Sequence, residues 1–225
     1  MSMSPHIVTR EEWRAEREEF LLKEKELTRA RDALNRQRRE LPMTVVDQEY
    51  VFEGPRGGVT LLDLFEGRRQ LIVYHFMPLL EGYGWCPICS FWVDNLGRAE
   101  HLHARDTSLV VICPAPLSES EPFRKRMGWT VPWYSCQDND FYEDFHLEAP
   151  GGSGHCEGEG EGQAPGVSAF LRDGDRVLYG YSTHARGSDL LNGTYNYLDL
   201  TPLGRQEEGL EDTMGWVRYH DEYGL

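Results

Sequence analysis

An apolar run followed by a C-x-x-C motif is the feature that most constrains the fold of this chain. Residues 71–76 read as a buried strand, and a short glycine-containing loop separates them from Trp85-Cys86-Pro87-Ile88-Cys89. Proline directly after the first cysteine suits the first turn of a helix, where its missing N–H costs nothing. The sequence therefore predicts a strand, a loop and a helix that begins at the C-x-x-C.

A helix N-terminus would give the two cysteines different roles. Its unpaired N–H groups and positive dipole end stabilise a thiolate, and they can lower a cysteine pKa from about 8.5 to roughly 3.5–7.5. Cys86 is therefore the predicted nucleophile. Cys89 lies one turn later on the same face and is the predicted resolving thiol. Two reduced core cysteines are the alternative, but a preceding strand and a following helix favour the redox interpretation.

Residues 1–42 are predicted to form a helical arm. Thr9 and Glu12 make a capping box, strong helix formers follow, and Pro42 ends the helix. Large apolar residues recur at every seventh position, at Trp13, Phe20, Leu27, Leu34 and Leu41. A stripe this narrow needs a surface to lie on, either the chain's own globular domain or a second copy of the chain in a homo-oligomer.

Residues 43–200 are predicted to form one α/β domain, followed by a tail over 201–225. We expect strands at 51–64 (with a turn) and 71–76, a helix over 87–105 and a strand at 108–113. A helix should follow, opened by a capping box of Ser118 with Glu121. After it we expect a hairpin of 167–171 with 176–181 and a final helix over 189–198, with Leu190 and Leu191 facing inward. Residues 150–166 are acidic and glycine-rich, which is typical of a flexible loop.

Composition excludes several classes of partner. The chain has 225 residues and a formal net charge of −15, which argues against nucleic acid and against an anionic membrane surface. No apolar run approaches the roughly 18 residues that a membrane helix needs, and the first residues lack the apolar region of a signal peptide. Five cysteines without a secretion signal fit a reducing, cytoplasmic compartment. Cys113 and Cys136 are expected to be structural.

The order of the predicted elements resembles the thioredoxin fold, in which a βαβ unit carries the C-x-x-C and a hairpin and a helix follow. In more detail, the chain resembles the bacterial domain-of-unknown-function family 899, whose members are thioredoxin-like. The segments that carry this resemblance are Thr9-Arg10-Glu11-Glu12-Trp13, Lys23-Glu24-Lys25-Glu26-Leu27-Thr28-Arg29, Val73-Tyr74-His75-Phe76-Met77, Cys86-Pro87-Ile88-Cys89-Ser90-Phe91, Arg126-Met127-Gly128-Trp129 and Asn196-Tyr197-Leu198-Asp199-Leu200-Thr201-Pro202. The resemblance implies a mixed β-sheet flanked by helices, with the long N-terminal helix added, and it leaves the activity open.

The resemblance also suggests residues that contact a substrate. Thioredoxins place a cis-proline before the strand that faces the C-x-x-C, and the corresponding place here is Gly166-Val167, one residue after Pro165. We therefore expect Trp85, Gly166 and Val167 to contact substrate. The cysteine signature of peroxiredoxins is absent ahead of the C-x-x-C, so peroxide reduction by that mechanism has no support.

Two further residues have alternative interpretations. His75, on the central strand, is a candidate base for Cys89, or alternatively a hydrogen-bonded core histidine. Arg186 is a candidate for binding an anionic substrate, or for a salt bridge on the acidic surface.

Three functions follow from these residues. The first is a thiol-disulfide oxidoreductase that needs no cofactor, acts on a small disulfide or sulfur-containing substrate and is restored by a cellular thiol reductant. The second is a soft-metal protein or metalloenzyme, because thiolates and imidazoles bind copper(I) or zinc. Its predicted ligands are Cys86 and Cys89 with His155, Cys156 or His184. The third is a non-catalytic interaction module in which the arm binds the partner.

Overall fold

The computed structural model describes residues 6–77, 84–146 and 165–224. The chain falls into two compact units, Met1–Pro42 and Met43–Leu225. The first unit contains the helix α1 (Arg10–Arg39), and its predicted capping box is confirmed. The Thr9 hydroxyl oxygen accepts the backbone N–H of Glu12 at 3.3 Å, and the Glu12 carboxylate accepts the backbone N–H of Thr9 at 2.8 Å. Four members of the apolar stripe on α1 and Leu41 just beyond its end are all exposed.

The second unit is built on one mixed sheet, which has eight strands within the described residues, in the order β1-β8-β7-β4-β5-β6-β2-β3. The strands are β1 (Thr44–Val45), β2 (Val51–Gly54), β3 (Gly57–Thr60), β4 (Gln70–His75), β5 (Thr107–Cys113), β6 (Trp133–Ser135), β7 (Gly166–Asp173) and β8 (Arg176–His184). The helices are α2 (Pro87–Asp94), α3 (Ala99–His103), α4 (Leu117–Arg126), α5 (Phe141–His146) and α6 (Gly193–Leu198), with short 3-10 helices at Asp63–Phe65 and Ala185–Leu191.

The four central strands have the connectivity of the thioredoxin fold. β4 pairs in parallel with β5, and the connection between them contains α2 and α3. β7 pairs antiparallel with β4 on its other side, and β8 returns antiparallel to β7. α6 follows the hairpin. The predicted fold class is therefore confirmed, and the C-x-x-C begins the helix that follows the central strand β4.

The sheet separates two apolar clusters, because successive side chains on a strand point to opposite faces. On β4, Tyr74 packs with Cys86 and Cys89 in the first cluster. Val73 packs with Phe141 in the second cluster. The first side of the sheet is called the thiol face below, and the second side is called the aromatic face.

The single helix predicted over 87–105 is wrong, because the segment forms two helices. α2 ends at Asp94, and α3 begins at Ala99. Asn95 separates them: its side-chain amide donates to the Phe91 carbonyl at 2.7 Å and its side-chain oxygen accepts the Thr194 N–H at 2.8 Å. A contact with α6, almost a hundred residues away, therefore fixes the end of α2.

The predicted capping box of Ser118 with Glu121 is also wrong. α4 begins at Leu117, whose N–H donates to the carboxylate of Glu53 on β2 at 3.0 Å. Glu121 instead pairs with Arg124 at 2.9 Å. A carboxylate from a distant strand thus satisfies an N–H at the start of this helix, where unpaired donors need an acceptor.

The final helix predicted over 189–198 is shorter than expected. A 3-10 helix occupies Ala185–Leu191, and α6 begins after Asn192, whose side-chain oxygen accepts the Tyr195 N–H at 3.0 Å. Leu190 and Leu191 are exposed rather than inward-facing. β1, β6 and α5 were not predicted, since segments this short have no periodicity to detect. In the described part of the chain, no helix is long and apolar enough to cross a membrane.

Candidate active site

Cys86 caps the N-terminus of α2, as the sequence suggests. Its backbone is extended, with φ −67° and ψ 116°, and Pro87 occupies the first helical position. The Sγ atom of Cys86 accepts the backbone N–H of Cys89 at 3.2 Å, in the position where a serine or aspartate oxygen usually caps a helix. Cys86 is 7% exposed, and Cys89 is fully buried.

The two thiols have opposite proton affinities. A hydrogen bond from the Cys89 thiol, together with the backbone N–H groups of Cys89 and Ile88, lowers the pKa of Cys86, although burial acts against this shift. Burial, and then the hydrogen bond and charge of Cys86, raise the pKa of Cys89 well above its ordinary value. Cys86 is therefore the thiol that ionises first, and Cys89 keeps its proton.

The turn that holds the thiols is fixed from both sides. The buried hydroxyl of Tyr74, on β4, donates to the Cys89 carbonyl at 3.2 Å. The Ser90 hydroxyl donates to the Cys86 carbonyl at 2.9 Å. Both hydroxyls donate to backbone carbonyls and thereby fix the helical turn between Cys86 and Cys89.

Trp85, a predicted substrate contact, directly precedes Cys86 and packs in an aromatic group with Phe123 and Tyr219. Its ring stacks on Phe123, with centroids 5.5 Å apart and planes 13° apart. The hydroxyl of Tyr219, near the C-terminus, donates to the Trp85 carbonyl. Residues 201–225, expected to form a tail, thus reach the motif itself, and no residue type or spacing in that segment predicted this contact.

Charged contacts hold the same C-terminal segment in place. The Arg126 guanidinium pairs with Asp221 at 2.7 Å and with Glu222 at 2.8 Å. It also lies 5.2 Å from the ring centroid of Tyr219. The segment around Tyr219 is therefore attached to α4 as well as to Trp85.

His75, the candidate base for Cys89, lies on the aromatic face of the sheet. Its Nε2 atom is 2.8 Å from the Ser168 hydroxyl, and its ring stacks on Phe141 at 5.8 Å. The ring is fully buried. This placement matches the alternative of a hydrogen-bonded core histidine, and it puts the sheet between His75 and the thiols.

The remaining predicted substrate contacts, Gly166 and Val167, begin β7. Val167 packs in the apolar cluster of the thiol face. Gly166 lies between His75 and His184 in the strand register. A Cβ atom on Gly166 would stand 2.1 Å from Nδ1 of His184, so the imidazole occupies the space that a side chain at this position would need.

The predicted metal ligands are not all brought together. His184 lies on the aromatic face, where burial lowers its pKa, while the C-x-x-C lies on the thiol face. His155 and Cys156 lie outside the described residues. Within the described ranges, no group of three or more histidine, cysteine, aspartate or glutamate side chains is arranged to hold a metal ion.

The other two described cysteines are buried where the paired strands β5 and β6 end, with Cys113 last on β5 and Cys136 directly after β6. The Cys113 thiol donates to the Met77 carbonyl at 3.6 Å, and the backbone N–H of Cys136 donates to the Cys113 carbonyl at 3.0 Å. Burial raises the pKa of Cys136 to about 12 and raises that of Cys113 further above its ordinary value. Neither thiol is disposed to react near neutral pH.

A cavity of about 110 Å³ lies next to the motif. Ile88, the residue between Pro87 and Cys89, forms part of its wall together with Trp92, one turn further along α2. The 3-10 helix after β8 and the segment after α6 supply the charged part of the wall. The other lining residues are Pro165, Ala185, Arg186, Ser188, Asp189, Tyr195, Arg205, Glu207, Thr213 and Met214.

Comparisons with known proteins agree with the family resemblance. A family model described as bacterial protein of unknown function (DUF899) matches residues 2–223. No curated protein matches the sequence significantly.

Several solved structures are similar at low identity. Peroxiredoxin Q from Xanthomonas campestris is 11% identical, with a TM-score of 0.46 over 68% of this chain and 92% of that chain. A protein described as the thiol:disulfide interchange protein DsbE from Chlorobium tepidum is 12% identical, with a TM-score of 0.42 over 66% and 90%. BsSco, a Sco-family cytochrome c oxidase assembly protein with a disulfide switch, is 15% identical, with a TM-score of 0.41 over 67% and 91%. At this level of similarity the neighbours do not bear on the reaction, and the fold assignment rests on the strand order.

Proposed function

Because the chain belongs to the DUF899 family of bacterial proteins of unknown function, its reaction has to be inferred from the site, and we propose that it is a thiol-disulfide oxidoreductase. The observation that carries this proposal is the polarised dithiol. Cys86 sits at a helix N-terminus with its pKa lowered by donors, while Cys89 sits one turn later as a buried protonated thiol. A nucleophilic thiolate next to a protonated partner is what two-step disulfide exchange needs.

In the proposed reaction, the Cys86 thiolate attacks one sulfur of a disulfide. A bond forms between Cys86 and that sulfur, the substrate disulfide breaks, and the other half leaves as a thiolate. The leaving thiolate takes the proton of Cys89, and the Cys89 thiolate attacks the Sγ atom of Cys86. The mixed disulfide then breaks, the second half is released, and Cys86 and Cys89 are left oxidised as a disulfide.

The restricted access to Cys86 favours a small substrate. Cys86 is 7% exposed, and the neighbouring Trp85 is held in place by the hydroxyl of Tyr219. An external thiol reductant restores the dithiol in this proposal, and no cofactor is needed. The formal net charge of −15 leads us to expect neither nucleic acid nor an anionic membrane as partner.

The test is reduction of a small-molecule disulfide by the full-length protein, with dithiothreitol as reductant. Cys86→Ser should abolish turnover, and Cys89→Ser should accumulate a mixed disulfide at Cys86 that intact-mass spectrometry detects. Cys136→Ser is the matched control, because this thiol follows β6 and is buried in the cluster of the aromatic face, across the sheet from Cys86, and it should leave turnover unchanged. Full turnover by Cys86→Ser would refute the proposal.

The same preparations test the metal alternative. Two thiolates at this spacing are suitable soft-metal ligands, so copper and zinc should be measured by elemental analysis in protein purified without chelator. One metal ion per chain that is lost in Cys86→Ser would support the metal site in place of the dithiol reaction.

A further inference from the structure

We propose that the cavity beside the C-x-x-C binds one half of a small disulfide that carries a carboxylate, and that Arg186 recognises this carboxylate. The inference rests on the proposed disulfide exchange and adds its substrate class. One wall of the cavity is apolar and lies next to the C-x-x-C, and the other wall is charged. Together they select for a molecule that has both an apolar part and a charged part.

The apolar wall lies against the motif. Ile88 separates Pro87 from Cys89 in the sequence and lines the cavity, as does Trp92 on the same helix. Pro165, immediately before β7, and Met214 complete this wall. An aromatic or short aliphatic group can bury its surface here, against the side chain of the residue that directly precedes Cys89.

Most charges in the other wall are already engaged. The guanidinium of Arg205 binds both carboxylate oxygens of Asp199 at 2.8 Å and Asp189 at 2.9 Å, and lies 3.9 Å from the ring centroid of Tyr195. Glu207 accepts the Tyr195 hydroxyl at 2.8 Å. These groups hold the wall in shape and have little capacity left for a ligand.

Arg186 is the cation that remains available. Its side chain is 70% exposed, and its Nε atom is 3.5 Å from Asp189, a carboxylate that Arg205 already binds more closely. In the described ranges it makes no other ion pair or hydrogen bond. A guanidinium in this situation can bind a carboxylate with two parallel N–H donors.

The net charge of the chain makes this contact decisive. With a formal charge of −15, the protein repels anions in general, so an anionic substrate needs a local cation at the cavity that binds it. The Cys86 thiolate would attack the sulfur of the half that the cavity holds. The other half leaves as a thiolate and takes the Cys89 proton, and Cys89 then releases the bound half as described above.

The experiment compares two aromatic disulfides in the full-length protein. Dithiobis(nitrobenzoate) carries a carboxylate on each ring, and dithiodipyridine is neutral. Arg186→Gln should lower kcat/KM for the anionic disulfide by about tenfold, the effect of one charge-assisted contact, and leave the neutral disulfide unchanged. Arg176→Gln, at the opposite end of β8, removes the same charge and should change neither. An equal change for both disulfides with Arg186→Gln, or none, would overturn the inference.

A binding measurement separates this inference from the proposed function. Calorimetry with (methylthio)benzoate and thioanisole, which cannot exchange disulfides, reports the cavity alone. Weaker binding of the carboxylate by about tenfold in Arg186→Gln, with Arg176→Gln unaffected, supports the site even if the wild-type protein reduces neither disulfide. Equal affinities in the three proteins, or no binding of the carboxylate to the wild type, would contradict it.

Discussion

Replacing Cys89 by alanine should raise the pKa of Cys86. Cys89 supplies the side-chain donor to the Cys86 sulfur, while the N–H groups of Cys89 and Ile88 come from the backbone and survive the replacement. A hydrogen bond to a charged group contributes about 1.5–3 kcal/mol, and a thiol is a weak donor, so the lower end applies. This corresponds to about a tenfold loss of thiolate at a pH below the wild-type pKa.

The readout is the pH dependence of Cys86 alkylation by iodoacetamide, with thiolate absorbance followed in the same samples. Below the wild-type pKa, Cys89→Ala should react about tenfold more slowly, because its thiolate fraction falls by that factor. Cys89→Ser retains a hydroxyl donor and should titrate close to the wild type. Cys136→Ala is the matched control, and it should leave the Cys86 titration unchanged.

The outcome that would refute this reasoning is also defined by the alanine and serine variants. If both titrate together at the wild-type pH, the Cys89 side chain does not stabilise the Cys86 thiolate. The lowered pKa of Cys86 would then come from the backbone N–H groups of α2 alone, and Cys89 would act only as the resolving thiol.

Three further predictions concern the fold. Gly166→Ala should destabilise the protein by about 1–3 kcal/mol in urea unfolding, because the new Cβ meets the His184 ring, and His184→Ala in the same chain should recover most of this loss. Because burial raises the pKa of Cys136 to about 12, this thiol ionises at lower pH in the unfolded chain than in the folded protein. Its ionisation should therefore lower the free energy of unfolding by about 1.4 kcal/mol between about pH 7.5 and 9.5. Cys136→Ala should remove that part of the pH dependence. Deletion of Met1–Pro42 should convert a homo-oligomer to a monomer in light scattering, since the exposed stripe of α1 is the predicted contact.

Each of these predictions has a contrary result. Equal destabilisation by Gly166→Ala with and without His184 would show that the clash is not the cause. An unchanged alkaline slope in Cys136→Ala would mean that its thiol ionises normally in the folded state. If light scattering finds the same number of chains per particle before and after the deletion, the arm does not mediate the assembly.

Local chemistry explains which elements the sequence predicted correctly. Thr9 and Glu12 lie within one helical turn, and Cys86 and Pro87 are adjacent, so their capping geometry depends only on residues that are close in the sequence. The same proximity predicted that Cys86 lies at the start of the helix, one turn before Cys89. Each of these contacts joins residues that are at most three positions apart in the sequence.

The contacts that the sequence did not predict span long separations. Glu53 meets Leu117 across 64 residues, and Asn95 meets Thr194 across 99, and each determines where a helix begins or ends. Tyr219 reaches Trp85 across 134 residues. Strand alternation on β4 was readable in principle, and it would have placed His75 on the face opposite Tyr74 and hence away from the C-x-x-C.

The attachment of the Tyr219 segment to Trp85 makes ionic strength a variable to control. The hydroxyl of Tyr219 holds this segment against Trp85, and the carboxylates of Asp221 and Glu222 hold it against Arg126 on α4. Because both ion pairs are exposed to solvent, added salt screens them and loosens the segment that lies beside Cys86. Alkylation and exchange rates at Cys86 are therefore best compared between variants at one fixed salt concentration.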